Sequence, residues 1–322
     1  MALRLLLSFH LLLIGAAHVY AQNYPAKPVR IMVGYAAGGS VDIVGRIFAQ
    51  KLSEYFGQQF VVDNRPGAAS NVAADLVAKS APDGYTLLVS SSGSLGTNMA
   101  IYSKMPYDPL KDLAPIALLL HQGNVLIVNP SVPARSVKEL IALAKSRKGQ
   151  LNYGSGGSGS SQHMASELFQ NVTGVHIVHV PYKGGAPAIA DLVGGQIDLI
   201  FAPMPEALPY VRSSRVRALG VTTSKRSIML PDVPTVAEAG VAGYEFDGWM
   251  GIAGPAGMPR DVVLRVNTEV NKALTATDVK TRLQDLGVEL AGGTPEQLGS
   301  YMREQSAKMI KLARDAGIKP VD

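Results

Sequence analysis

The chain has 322 residues, 17% of them charged, a formal net charge of +5 and no cysteine. Without cysteine there are no disulfides, no thiolate metal ligands and no cysteine nucleophile. The charges are scattered with no concentrated basic patch, so nucleic acid is not an expected partner and the mild basic excess favours small anionic solutes.

Reading from the amino terminus, Arg4 precedes an apolar run from Leu5 to Ala17, and small Ala21 follows with Val19 two positions before it. This pattern predicts a secretory signal peptide over 1–21, cleaved after Ala21. The run is shorter than the roughly 20 residues that span a bilayer. No cysteine follows it to carry a lipid tether, so the expected location is free in the periplasm. About 300 mature residues are enough for two domains, each with its own core.

From residue 28 onward, short β-branched runs alternate with segments of helical period, which predicts α/β units with mainly parallel strands. Strands are expected at Val29–Val33, Gln59–Val62, Thr86–Val89, Val125–Val128, Val175–Val180, Ile197–Phe201 and Arg217–Thr222. Helices are expected at Val41–Tyr55, Ala69–Lys79, Val137–Lys145, Ser161–Asn171 and Ala186–Val193. Three more, Arg260–Thr275, Asp278–Leu286 and Pro295–Ala316, follow with few strand signals between them. No low-complexity linker appears, so the chain is expected to cross between its domains twice, near Gly123–Asn124 and near Phe246–Trp249. The expected division is 22–123 plus 247–322 for one domain and 124–246 for the other. The lone Trp249 is expected at the second crossing, where it would report movement.

Parallel sheets bind ligands beyond the carboxyl ends of their strands. Three loops rich in glycine and serine lie there, Gly34–Asp42, Ser90–Asn98 and Tyr153–Ser161. Each leads into a helix amino terminus, where backbone N–H groups and about half a positive charge suit a carboxylate or phosphate. Glycine lets oxygen approach the backbone. The residues expected to touch a ligand are Tyr35, Ala37, Gly38, Gly39, Ser40 and Asp42 from the first loop, with Ser92 and Asn98 from the second. Ser155, Gly157, Ser158 and Ser160 of the third join them, as do Lys183 and Ala202 at later strand ends. Asp42 also suits helix capping, and Lys183 also suits plain solvation.

Gly154-Ser-Gly-Gly-Ser-Gly159 matches the dinucleotide fingerprint G-x-G-x-x-G, which raises the alternative of a dinucleotide-binding exported enzyme. Where that motif wants an acidic residue to hold the ribose, the chain has His179-Val-Pro-Tyr182. G-x-S-x-G is missing because Ser160 stands where glycine is needed, and a P-loop is missing because Ser160 rather than Lys follows Gly159. His163 and Glu167 are one helical turn apart, but no third metal ligand is evident. No catalytic constellation, metal or cofactor is expected.

These loops resemble those of the tripartite tricarboxylate transporter receptor family, also called the Bug family, of periplasmic binding proteins. The resemblance runs from about Tyr24 to Ile318. It is carried by Ala36-Ala-Gly-Gly-Ser-Val-Asp42, Val62-Asp-Asn-Arg-Pro-Gly-Ala68, Ser80-Ala-Pro-Asp-Gly-Tyr-Thr86 and Tyr153-Gly-Ser-Gly-Gly-Ser-Gly-Ser160. Val180-Pro-Tyr-Lys-Gly-Gly-Ala-Pro187, Asp232–Gly240 and Gly248–Pro259 extend it. It implies a two-domain, type II periplasmic-binding fold, with a central ligand cleft and two crossing strands, that closes on a small carboxylate. It also implies that the Ala36–Asp42 and Tyr153–Ser161 loops hold that carboxylate, partly through water. Membrane subunits of a tripartite transporter would be the partners of a receptor expected to be monomeric. The family usually has Pro-Phe where this chain has Gly34-Tyr35, which places a hydroxyl at the expected cleft.

Overall fold

Val29–Val33 forms β1, whose four apolar residues point into two layers of core while Arg30 is exposed. Val29, Ile31 and Val33 meet Val44, Phe48 and Leu52 of α1 (Ser40–Phe56), whereas Met32 meets Leu88 and Trp249. Apart from Arg30, the strand reads as the apolar run expected of one buried on both faces. The computed structural model describes residues 24–315, 317, 318, 320 and 321. The expected leader lies outside the described residues, and among these no helix is long and apolar enough to cross a membrane.

Two sheets share one long strand. β1 pairs in parallel with β2 (Phe60–Asn64) and β3 (Thr86–Ser91). β9 (Asp247–Pro255) then runs antiparallel to β3 and to the first part of β4 (Leu113–Val128). β4 is in register with β9 as far as Gly123, opposite Asp247; from Asn124 it pairs with β7 (Leu199–Pro203) and β8 (Arg217–Val221) instead. β5 (Asn152–Ser155) and β6 (Val178–Pro181) complete the second sheet in parallel with β7, and the short β10 (Glu289–Leu290) edges the first. The sheets are therefore mixed rather than mainly parallel. Every pairing of β4 and β9 is antiparallel because these strands carry the chain out of one sheet and back.

The remaining helices are α2 (Asn71–Ala78), α3 (Val137–Ser146), α4 (Ser161–Thr173), α5 (Gly185–Val193) and α6 (Met204–Arg212), then α7 (Arg260–Thr275), α8 (Thr277–Asp285) and α9 (Pro295–Asp315). α7 and α8 add Val266, Val270 and Leu283 to the core beneath the first sheet. The second sheet has its own cores, one around Phe169, Phe201 and Tyr244, the other around Ile127, Ile200 and Leu208. Trp249 lies two residues past the crossing at Asp247 but is only 1% exposed, with its ring edge-on to Tyr301.

The helix expected from Ala69 starts later: Ala68–Ser70 is a short 3₁₀ turn in which Ala68, Ala69 and Ser70 have left-handed φ values of 45°, 48° and 75°. Each such residue costs on the order of 1–3 kcal/mol unless its surroundings hold it. Here Ser70 accepts from Ser90 Oγ at 2.8 Å and the Ala69 carbonyl accepts from Tyr35 and Asn98.

Candidate functional site

The first and third loops meet between the two sheets. At the first, Gly39 is the residue before α1 and Ser40 is its first residue, so the N–H groups there have no partner within the helix. Ser40 N–H donates to Glu206 Oε1 at 2.7 Å, and Ser40 Oγ donates to Gln122 Oε1 at 2.8 Å. Glu206 stands in the first turn of α6, just beyond the carboxyl end of β7, and its other oxygen accepts from Gln162 Nε2 at 3.4 Å. Gln162 belongs to the first turn of α4, which the third loop feeds. A carboxylate thus sits where two helix starts converge.

These groups line a cavity of about 20 Å³, room for about one water. Its walls include Tyr35, Ser40, Ser91, Gln122, Gln162 and Glu206, and none of the described residues lining it is basic. Burial pushes the Glu206 carboxyl up to about 7, against the hydrogen bonds from Ser40 and Gln162, which pull it down. Burial likewise pushes up the Tyr35 phenol, whose hydroxyl lies 2.9 Å from Ser91 Oγ. A far larger groove, about 880 Å³, runs along the crossing strands between Arg226, Ile228 and Glu289. It contains none of the three loops.

Other contacts close the cleft. Ala36 N–H donates to the Lys183 carbonyl at 3.0 Å, and Tyr102 hydroxyl donates to the Ser158 carbonyl at 2.8 Å. Gly157, with φ +113°, comes so near that a β-carbon on it would lie 3.2 Å from Ala69 N. Asn98 binds Asn71 through its amide nitrogen, leaving a fully buried Oδ1 without a hydrogen-bond partner against Gly159.

Of the expected site residues, Tyr35 and Ser40 reach the cavity wall, and Gly39 lies beside Glu206. Ala37 and Gly38 are exposed on the outer side of their loop. Asp42 accepts from Gly38 N–H, Arg46 and Asn64. Burial raises its pKa, but those hydrogen bonds outweigh it and the net shift is downward, so Asp42 ties its own loop to α1 from the first turn rather than facing the cavity. Ser92 and Asn98 buttress the second loop away from the cavity. Ser160 caps α4 by accepting from His163 N–H. Ser155 Oγ is 2.6 Å from His179 Nε2 and accepts from Gly157 N–H. Lys183 contributes its carbonyl, while its side chain is exposed. Ala202 is packed in the core of the second sheet, and Pro203 next to it supplies the wall.

Glu206, Gln162 and Gln122, none of them among the expected site residues, also line the cavity. Glu206 had a usable signal, an acidic residue five positions after the apolar Phe201 at a strand's carboxyl end. The G-x-G-x-x-G stretch does join β5 to α4, but a β-carbon at Gly154 would lie 2.5 Å from Ile197 Cδ1 and 3.3 Å from Ala188 Cβ, so close packing gives that glycine a local reason. His179, where a ribose-binding acid would stand, is stacked on Tyr153, lies 4.4 Å from the tilted ring of His163 and is bonded to Ser155. Among the described residues no group of three His, Cys, Asp or Glu side chains is placed to hold a metal.

The family model for the tripartite tricarboxylate transporter family receptor matches residues 44–318. BugT of Bordetella pertussis is 36% identical over 94% of this chain and 94% of its own. Among solved structures, Rpa4515 of R. palustris with adipate is 39% identical, covers 92% of this chain and 100% of its own, and has a TM-score of 0.90. MatC of Rhodopseudomonas palustris with bound malate is 32% identical, covers 90% and 100%, and has a TM-score of 0.87. A family model over most of the chain and similarity at this coverage agree with the crossing strands and the loops between them: the chain belongs to the tripartite tricarboxylate transporter receptor family.

Proposed function

We propose that the protein captures a small carboxylated metabolite in the periplasm by domain closure and delivers it to the membrane subunits of a tripartite transporter. The domains are 22–123 plus 247–322 and 124–246, the leader 1–21 is removed on export, and the mature receptor acts as a monomer without turning its ligand over. The observation that carries this reading is the carboxylate of Glu206 on the Ser40 N–H. A helix start that holds one carboxylate oxygen at 2.7 Å has the geometry to hold another. The adipate and malate in two similar structures support the same class. On this reading the ligand carboxylate lies between the Tyr35–Ser40 and Ser155–Ser160 loops.

A thermal-shift screen of the purified protein against adipate, malate, succinate and other small acids tests it. A binder raises the melting temperature by mass action. No rise with any carboxylate at millimolar concentration would sink the reading, and turnover of the tightest binder would sink its non-catalytic part.

A further inference from the structure

We propose that Glu206 sets the ligand class of this cleft, selecting a small amphoteric acid whose carboxylate takes the start of α1 while its protonated amine pairs with Glu206. The inference rests on the carboxylate-receptor reading and narrows it.

Three observations converge. First, the Glu206 side chain is in the cleft itself, 8% exposed, with one oxygen on Ser40 and the other on Gln162. Both donors are neutral. A desolvated carboxylate without a cation is costly, and the usual remedy is a positive partner or a proton. Second, no side chain supplies that partner. Among the described residues lining the cavity none is basic, and the Lys183 side chain is exposed. Third, the Ser40 and Tyr35 hydroxyls beside Glu206 have their protons engaged elsewhere and offer none to a second ligand anion. Ser40 Oγ is spent on Gln122 Oε1, and the Tyr35 hydroxyl is engaged with Ser91 and Ala69. Among the described residues Glu206 is the one charged group in that wall, and an ammonium, with three donors and no acceptor, is its complement.

Binding is then an exchange of carboxylates at Ser40. As the cleft opens, Glu206 leaves the Ser40 N–H, and the ligand carboxylate replaces it at the same helix start. Glu206 stays on α6 and faces the ligand's amine when the cleft recloses. A dicarboxylate in that position would set its second anion against Glu206, which is tolerable only with a proton between them.

The two cases have opposite pH dependence. An ammonium ligand binds best when Glu206 is ionised, and a dicarboxylate binds best when it is protonated. The groups facing Glu206 do not confuse this: Ser40 and Gln162 do not titrate, and burial pushes the Tyr35 phenol up so that it stays neutral. Asp42 is turned onto Arg46 and Asn64.

The test is calorimetry on the full mature receptor with matched probes, adipate against 6-aminohexanoate and succinate against 4-aminobutyrate, at pH 8 and 5.5. The amino acid of each pair should bind about 10- to 100-fold more tightly at pH 8, as expected for a hydrogen bond to a charged group. That preference should shrink at pH 5.5 and vanish in Glu206→Gln, whose fold is checked by its ligand-free melting temperature. If the dicarboxylates bind more tightly and gain at pH 5.5, the proposal is wrong and the carboxylate reading stands. If a preference for the amines persists in Glu206→Gln, another group recognises them and the proposal is wrong. Binding of no probe overturns both.

Discussion

Ser40 and Glu206, 166 positions apart, are joined by a backbone N–H to carboxylate hydrogen bond of 2.7 Å that ties the start of α1 to the start of α6. Glu206→Gln keeps an acceptor for that N–H and removes the charge. Because burial raises the Glu206 pKa from 4.5 to about 7, the fold favours the neutral acid. Its contribution is complete below the unfolded value of 4.5 and is lost as pH rises through about 7. The variant should therefore be the more stable protein at pH 8, by up to about 3 kcal/mol, and the gap should close below pH 4.5. Urea denaturation at pH 8 and pH 4.5 checks this; a gap of the same size at both would show that desolvation of the charge is not the cause.

That same residue marks where the sequence was hard to read. β1 and α7 have the limits expected for them because Val29–Val33 is a short β-branched run after Pro28 and α7 begins just after Pro259. By contrast, α6 contains Pro205 and Pro209 and gives no clear helical signal, so Glu206 could not be placed on a helix face. β9 holds three glycines and a proline, and the first part of β4 holds Pro115. Both are crossing strands whose residues are chosen for burial between sheets rather than for a period of two. The glycine- and serine-rich loops were legible because glycine and serine before a helix have a local cause. Which of their residues reach the cavity depended on the other domain, and no local pattern carries that.

Acidification should destabilise the fold through two neighbouring histidines, His163 of α4 and His179 of β6, whose rings lie 4.4 Å apart. Burial, together with the nearness of His179, lowers His163 to about 3, and burial lowers His179 to about 4. Both are neutral in the fold, so their contribution is present above the unfolded value of 6.5 and is lost as pH falls toward those lowered values. At pH 5 each should cost about 2 kcal/mol. Glu206 titrates with the opposite sign over the same range and masks part of the loss. Between pH 7.5 and 5, Glu206→Gln should accordingly lose more stability than the parent protein, and His163→Gln combined with His179→Gln should flatten its curve. Equal losses in parent and Glu206→Gln would contradict this balance.

Lys183→Met should leave the affinity for adipate or 6-aminohexanoate within about twofold, because an exposed charge contributes little. The part of Lys183 that spans the cleft is its carbonyl, which the variant keeps. A tenfold loss in calorimetry would mean that the ammonium swings onto the ligand.

Gly157→Val should weaken binding of the same probes strongly while leaving far-ultraviolet circular dichroism unchanged. Its φ of +113° strains any β-branched residue, and the added carbon would press on Ala69 N across the cleft. The damage falls on closure and not on either core, so normal binding would place the ligand away from this approach.

Closure itself should be visible in scattering but nearly silent at Trp249. A ligand that touches both domains binds the closed form more tightly, and only that difference shifts the population. Saturating 6-aminohexanoate or adipate should therefore lower the radius of gyration. Trp249, however, is packed with Met32, Leu88 and Tyr301 within the core of the first sheet, and no residue of the second domain is in that cluster. Its emission should barely move, contrary to what its place in the sequence suggests. Tyr102 is better placed, since its hydroxyl crosses the cleft to the Ser158 carbonyl. A Tyr102→Trp variant should gain a ligand-dependent emission change that the parent lacks. A large change in the parent would show that the first core itself rearranges on binding, and an unchanged radius of gyration at saturation would remove domain closure from the mechanism.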